Sequence, residues 1–326
     1  MLPTLAELIE TAQVVSLPLV TRFRGIDTRE ALVFQGPYGW TEFSPFVEYD
    51  DAEAAAWLWA AIDFGWNAPP APLRDRILVN ATVPAVGPDQ VADVLARFPG
   101  CRTAKVKVAN VGQTLADDIA RVRQVRAALG AEGRIRVDAN GGWNVDEAEH
   151  AIHALAEFDL EYVEQPCATV AELVDIRTRT AYLDLPIAAD ESVRRADDPL
   201  AVARAGAADL LVIKAQPLGG IRAALAIIAQ TGLPVVVSSA LDTSIGISMG
   251  AHLAAAIPDL RFDCGLGTAS LLAADVTTAP LVPVDGSIPV QRVVPDAALL
   301  ARHAASADRR AWWLNRLART YATIAD

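Results

Sequence analysis

Three acidic residues recur at equal intervals in this chain: Asp138 in Arg-Val-Asp-Ala-Asn, Glu164 in Glu-Tyr-Val-Glu-Gln-Pro and Asp190 in Ile-Ala-Ala-Asp-Glu-Ser, each 26 residues from the next. Each closes a short apolar run of the kind that forms a buried parallel strand. Taken singly, any of them reads as a helix cap or a surface carboxylate. Together they are hard oxygen donors at the same end of three neighbouring strands, where they can share one divalent cation, Mg²⁺ with Mn²⁺ able to substitute. Asn140, two residues after Asp138, and Glu191, next to Asp190, are candidates to support these ligands.

Lysines flank the acids. Lys105 and Lys107 lie two apart on a strand-like run with apolar Ala104, Val106 and Val108, so both point to one face. Two ammonium groups so close lower each other's pKa, which fits one of them to act as a general base. Lys214 closes Leu210-Leu211-Val212-Ile213, where an unpaired ammonium is costly and needs a reason. Counting strand-like runs puts Lys107 on the second, the acids on the third to fifth and Lys214 on the sixth. In an eight-stranded barrel the second and sixth strands face each other, with the cation between them. That arrangement suits removal of a proton α to a carboxylate: the ion and one lysine stabilise the enediolate while the other lysine takes the proton. None of His150, His153, His252 and His303 ends such a run, which leaves a Ser-His-Asp mechanism without a base. Gly219-Gly220 reads as a tight turn or an anion contact, and Ser238 and Ser239 as contacts to a substrate carboxylate.

The elements that must position these groups repeat along the chain. Apolar runs end at Asn80, Lys107, Asp138, Glu164, Asp190, Lys214, Ser239 and Asp263, separated by 24 to 31 residues. Amphipathic helical patterns fill the gaps, for example 114–129, 146–158 and 220–230. The alternation predicts an α/β fold with eight parallel strands closed into a (β/α) barrel. An open doubly wound sheet competes, but no Gly-x-Gly-x-x-Gly follows the first strand. Before this rhythm, strands at 14–20 and 30–35, a Gly36-Pro37-Tyr38-Gly39 turn and a helix over 50–64 predict a small α+β unit. The proline-rich stretch 67–72 marks its boundary. After Thr268 come prolines and then helical patterns over 296–303 and 308–325. The expected domains are therefore a cap at 1–72, a barrel at 73–275 and a tail at 276–326 that returns to the cap.

Composition narrows the function classes. The 326 residues are 52% hydrophobic and 21% charged, with a net charge of −12 that opposes non-specific nucleic-acid binding and requires a local cationic site for any anionic substrate. The apolar stretch 223–257 is broken by Gln230, Pro234, Asp242 and His252, which reads as core rather than as a membrane span. Cys101, Cys167 and Cys264 are odd in number and far apart, and the first ten residues carry two acids and no basic cluster. The expectation is a cytoplasmic protein with a small-molecule dicarboxylate substrate and no membrane or nucleic-acid partner. The oligomeric state is left open, and a monomer is compatible with all of this.

Taken as a set, Lys105-x-Lys107, Asp138-x-Asn140, Glu164-Gln165-Pro166, Ala189-Asp190-Glu191-Ser192 and Lys214 resemble the enolase superfamily in its muconate-lactonising subgroup, whose sites join Mg²⁺ to a lysine base. The resemblance implies a modified TIM barrel with an α+β capping domain formed by the N-terminal segment and the C-terminal tail. Thr21-Arg22-Phe23-Arg24-Gly25, the stretch 39–46, Val237-Ser238-Ser239-Ala240 and the stretch 263–268 resemble the o-succinylbenzoate synthases of menaquinone biosynthesis. That likeness implies a lyase dehydrating 2-succinyl-6-hydroxy-2,4-cyclohexadiene-1-carboxylate on one face. Lys107 would be base and then acid, Lys214 would stabilise the enediolate, and Lys105 would tune its neighbour. Arg22 and Arg24 would close over the succinyl carboxylate, with Ser238, Ser239 and Gly265 as further contacts. The rival reading is an N-succinylamino acid racemase or dipeptide epimerase of the same subgroup, or an enzyme promiscuous for both. A non-catalytic ligand-binding barrel would lack some of these groups, and the full set is present.

Overall fold

The computed structural model describes residues 2–194 and 198–325. After a short helix (Leu5–Glu10), an antiparallel sheet is formed by β1 (Gln13–Phe23), β2 (Ile26–Gly36) and β3 (Gly39–Phe43). β1 and β2 are joined by Arg24-Gly25, both at positive φ (51° and 78°), the backbone that a two-residue hairpin turn with matching strand twist requires. Asp50 caps the helix Asp51–Trp66, which lays Trp57, Leu58 and Ala61 into one apolar cluster with Phe34 and Phe43 of the sheet. The C-terminal helix Ala307–Ala325 completes that cluster with Trp313 and Leu317.

β4 (Arg76–Leu78) follows, pairing antiparallel with a late strand, Ser287–Pro289. The parallel sheet then runs in sequential order through β5 (Ala81–Val83), β6 (Thr103–Lys107), β7 (Arg134–Asp138), β8 (Leu160–Glu164), β9 (Ile187–Ala189), β10 (Leu210–Lys214) and β11 (Val235–Ser238). The chain at 264–265 closes the ring by parallel bridges, Val79 to Cys264 on one side and Ser238 to Gly265 on the other. The eighth strand is thus shorter than its apolar pattern implies. The first expected strand is split as well. The apolar run from Ile77 leaves the tail strand at Val79, which bridges Cys264, and the barrel strand begins at Ala81 just beyond Asn80; with three residues in each piece, no period is long enough to mark the break.

Three successive crossover helices start with the same device. Thr114 and Asp117, Asn144 and Glu147, and Thr169 and Glu172 exchange hydrogen bonds between side chain and backbone, satisfying donors that a helix N-terminus leaves open. Each strand-to-helix loop is therefore short and fixed, which holds the strand ends in place. Inside the barrel Tyr162, Ala188, Leu210, Val212 and Val236 form a separate apolar plug. Arg136 lies against it, its guanidinium 4.9 Å from the Tyr162 ring centroid and donating to Asn80 Oδ1, Asp263 O and Glu161. The plug closes the barrel floor, so the polar strand ends above it open only toward the cap. Cys101, Cys167 and Cys264 are free, and no helix among the described residues is long and apolar enough to cross a membrane.

The tail is tied to the cap by Glu30, which accepts hydrogen bonds from Arg309 and from the Trp313 indole. Burial pushes this carboxyl up, but the Arg309 and Trp313 hydrogen bonds and the Arg309 charge more than offset that and hold it below its ordinary value of 4.5. A depressed carboxyl stabilises the fold above the ordinary pKa and loses its contribution as pH falls through the folded value. Glu30→Gln should cost about 1–3 kcal/mol at neutral pH. In thermal melts from pH 7 to 3, its gap from wild type should shrink below about pH 4.5.

Candidate active site

Strand register sets the site. Lys107 stands opposite Asp138, Asp138 opposite Glu164, and Glu164 opposite Ala188, two residues before Asp190. Because neighbouring parallel strands place paired residues side by side, Lys107, Asp138 and Glu164 stand abreast at the C-terminal rim of the barrel, and Asp190 lies at the same rim just past the end of β9. All three carboxylates are fully buried. Lys105 Nζ bridges two of them, 3.0 Å from Glu164 Oε1 and 3.3 Å from Asp138 Oδ2. Lys107 Nζ donates to Asp138 Oδ2 at 2.5 Å and to Asn140 Oδ1 at 2.7 Å. On the far side Lys214 Nζ is 2.5 Å from Asp190 Oδ2, and Arg194 Nε is 3.1 Å from Asp190 Oδ1.

These ion pairs revise one expectation. Desolvation works against the Lys105 ammonium, but Glu164 and Asp138 outweigh it and raise its pKa, the opposite of depression by a lysine neighbour. Lys214 is lowered, chiefly by burial and against the pull of Asp190. Asp138 is held far below the carboxylate range, since Lys107 and Lys105 overcome its burial. Asp190, similarly buried, is lowered to about 2 by Lys214 and Arg194. Glu164 is pushed up to about 8 by burial and by Asp138 beside it, with Lys105 opposing.

As the side chains stand, no three His, Cys, Asp or Glu among the described residues form a ready cluster for a metal ion; the carboxylates are engaged by ammonium groups. The donor set nevertheless suits a hard divalent cation. It consists of three buried carboxylates at neighbouring strand ends, where burial and the mutual repulsion of the acids leave room for a positive ion.

The loops after the strands are stitched together by Gln165. Its buried side-chain oxygen accepts from the Asp190 and Ser192 N–H groups, and its amide donates to Cys167 O and Ser192 Oγ. Both Asn140 and Gln165 sit at positive φ (49° and 39°), so each loop turns sharply just beyond its acid. Asn140 Nδ2 donates to Glu191 Oε1 at 3.1 Å, which places both expected supporting residues in the same network.

Above these groups lies a narrow cleft. Lys105, Lys107, Asn140, Glu191, Lys214, Ser238 and Ser239 line it from the barrel, and Phe23, Arg24 and Phe46 from the cap. Of the expected substrate contacts, Arg22 stays outside: its guanidinium bonds Gly25 O at 3.0 Å and lies near Asp27 in an exposed position. Gly265 does not line the cleft. It accepts the Ser239 hydroxyl at 2.9 Å, and a Cβ on it would come within 2.4 Å of Ser238 Oγ, so it sets the position of both serines. His252 is a buried packing residue that bonds Ser248 O, and His153 pairs with Tyr182 at the surface.

Several contributors were not singled out from the sequence. The Lys107 ammonium lies 5.6 Å from the Phe23 ring centroid, and Phe46 and Leu241 complete the apolar wall. Leu241 is held at a φ of 62°. The cap fixes that loop from behind: Arg29 Nε donates to Leu241 O at 3.0 Å, and Arg29 also bonds Ser44. Glu42 of β3 accepts from the Thr243 hydroxyl and from Gly246 N, capping the barrel helix Ser244–Ala256. Gly246 permits this approach, since a Cβ there would meet Asp242 Cβ at 2.6 Å and Glu42 Cδ at 3.0 Å. The detectable signal was the spacing of Arg194, four residues after Asp190 on a helical turn. The cap contacts had none.

Comparison with known proteins agrees with this architecture. Residues 14–65 match the enolase N-terminal domain-like family and residues 89–297 the enolase C-terminal domain-like family. Muconate lactonizing enzyme from Pseudomonas fluorescens superposes with a TM-score of 0.76 at 21% identity, covering 90% of this chain and 98% of that one. The L-Ala-D/L-Glu epimerase of Bacillus subtilis gives 0.69 at 24%, covering 85% and 94%. Much closer in sequence are the o-succinylbenzoate synthases of Mycobacterium ulcerans, 56% identical over 98% of this chain and 95% of its own length, and of Mycolicibacterium smegmatis, 55% identical over 99% and 98%. The chain thus belongs to the enolase superfamily, in the family of the o-succinylbenzoate synthases.

Proposed function

We infer that this chain is an o-succinylbenzoate synthase, a hydro-lyase that converts 2-succinyl-6-hydroxy-2,4-cyclohexadiene-1-carboxylate to 2-succinylbenzoate in menaquinone biosynthesis. The observation that carries the reading is that near full-length identity to the synthases coincides with Lys107 and Lys214 lining one cleft over three buried carboxylates. The same identity favours dehydration over the racemase and epimerase readings.

Asp138, Glu164 and Asp190 would hold Mg²⁺, the ion that enolase-superfamily enzymes generally use, and the bound ion would stabilise negative charge developing on the substrate carboxylate. The remaining steps belong to the chain. Lys107 stands on one wall, oriented by Asn140 and Asp138. Its amine takes the proton from the ring carbon α to the carboxylate, and the C–H electron pair enters the enediolate. The same lysine, now an ammonium, returns that proton to the departing hydroxyl, so water leaves from the face that lost the proton. Breaking the C–O bond completes the aromatic ring. Lys214, anchored by Asp190, presents its ammonium from the β10 side to the enediolate, and Lys105 holds Asp138 and Glu164 in place from below. Phe23, Phe46 and Leu241 exclude water over the ring. Arg24, which also lines the cleft, would receive the succinyl carboxylate.

Two measurements test this. Wild type should convert the cyclohexadiene to the aromatic product in an ultraviolet assay with Mg²⁺, and Lys107→Ala should lower kcat by about 10³-fold. Absence of turnover by wild type, or undiminished turnover by the variant, would overturn the reading. Chelation should abolish turnover and Mg²⁺ restore it. Asp190→Asn should raise the Mg²⁺ concentration needed for half-maximal activity by about 100-fold.

A further inference from the structure

Arg24 and Arg194 come from distant parts of the chain, one from the cap hairpin and one from the helical turn after β9, and both line the cleft. They meet on a single oxygen. The Tyr49 hydroxyl accepts from Arg194 Nη1 at 3.1 Å and from Arg24 Nη2 at 3.3 Å. From Arg194 the contacts continue inward: Nη2 donates to Glu191 Oε1 at 2.6 Å, Glu191 Oε1 accepts from Asn140 Nδ2, and Asn140 Oδ1 accepts from Lys107 Nζ. On the cap side the Arg24 guanidinium lies 4.1 Å from the Phe46 ring centroid, which fixes it over the cleft. The Tyr49 ring is held independently of its hydroxyl, with centroids 5.6 Å from Phe46 and 6.2 Å from Trp57, and the residue is buried. One phenol oxygen thus lies on an unbroken path from the cap hairpin to the lysine on the opposite wall.

We propose that Tyr49 is a positioning residue that joins the cap hairpin to the lysine wall through Arg194, Glu191 and Asn140, so that closure of the cap and orientation of Lys107 depend on each other. The inference rests on the proposed function. A tyrosine serves here because it supplies a rigid neutral acceptor on a ring already packed into the cap, whereas a carboxylate at this point would compete with Glu191 and Asp190 for Arg194.

The experiment is a double-mutant cycle on Mg²⁺-loaded enzyme, with thermal melts alongside. Tyr49→Phe keeps the ring packing, so its melting temperature should match wild type, while kcat/KM should fall about tenfold, with kcat lowered as well as KM raised. In an Arg194→Met background the same change should have little further effect, because the path is already cut. Additive losses, or an unchanged kcat/KM in Tyr49→Phe, would overturn the proposal. If Tyr49→Phe melts early, the pair Arg24→Met and Arg194→Met gives an independent reading, since both contact the same hydroxyl: coupled losses support the path and additive ones overturn it. Turnover by wild type separates the two questions. A wild type without it speaks against the function, whereas an active wild type with additive variants speaks against Tyr49 alone.

Discussion

The physical constraint behind this structure is the burial of three carboxylates side by side at the barrel rim. Burying an ionised carboxylate without compensation is prohibitively costly, so each needs positive charge within contact distance. The chain supplies it from four places, Lys105 and Lys107 on β6, Lys214 on β10 and Arg194 on the turn after β9. Glu164, crowded by Asp138, keeps a raised pKa even so. The protein therefore holds a buried set of carboxylates matched by ammonium groups, which can serve either the carboxylates or a substrate. The parallel register and the capped crossover helices that hold these groups level are consequences of the same demand, since a shift of one residue would turn every charge into the outer core.

The cap completes the site by setting the shape of a barrel loop as well as by covering it. Arg29 and Glu42, both buried in the cap sheet, satisfy the carbonyl of Leu241 and the N-terminus of the helix Ser244–Ala256. Burial and Asp242 push the Glu42 carboxyl up to about 7, so this joint is held mainly by hydrogen bonds to hydroxyl and backbone donors rather than by full charge. The wall contributed by Leu241 thus depends on residues roughly 200 positions earlier in the chain. Cap and barrel form a working unit because neither has a complete cleft alone.

Much of the site was legible in the sequence because it obeys a local period. A strand plus a returning helix takes a near-constant number of residues, so polar groups that end apolar runs recur at that interval, as Lys107, Asp138, Glu164, Asp190 and Lys214 do. Lysines two apart on a strand and acids on neighbouring strands follow from backbone geometry alone, and the register bears out their neighbourhood. The sign of the shift on Lys105 was not legible. It depends on which charges lie nearest in space, and two carboxylates from the next strands outweigh one lysine on its own.

What the sequence determined by itself is the set of groups that could do the chemistry and the order in which the barrel presents them, because periodicity is a property of consecutive residues. Tertiary structure decided the rest: that the first strand changes partners at Val79, that Arg22 turns to solvent while Arg24 turns inward, and that Tyr49 stands between two arginines. Each of these depends on contacts between segments far apart in the chain, whose meeting is fixed only when the cap folds onto the barrel. No local pattern carries that information, since the same hairpin or tyrosine would read identically on any exposed surface.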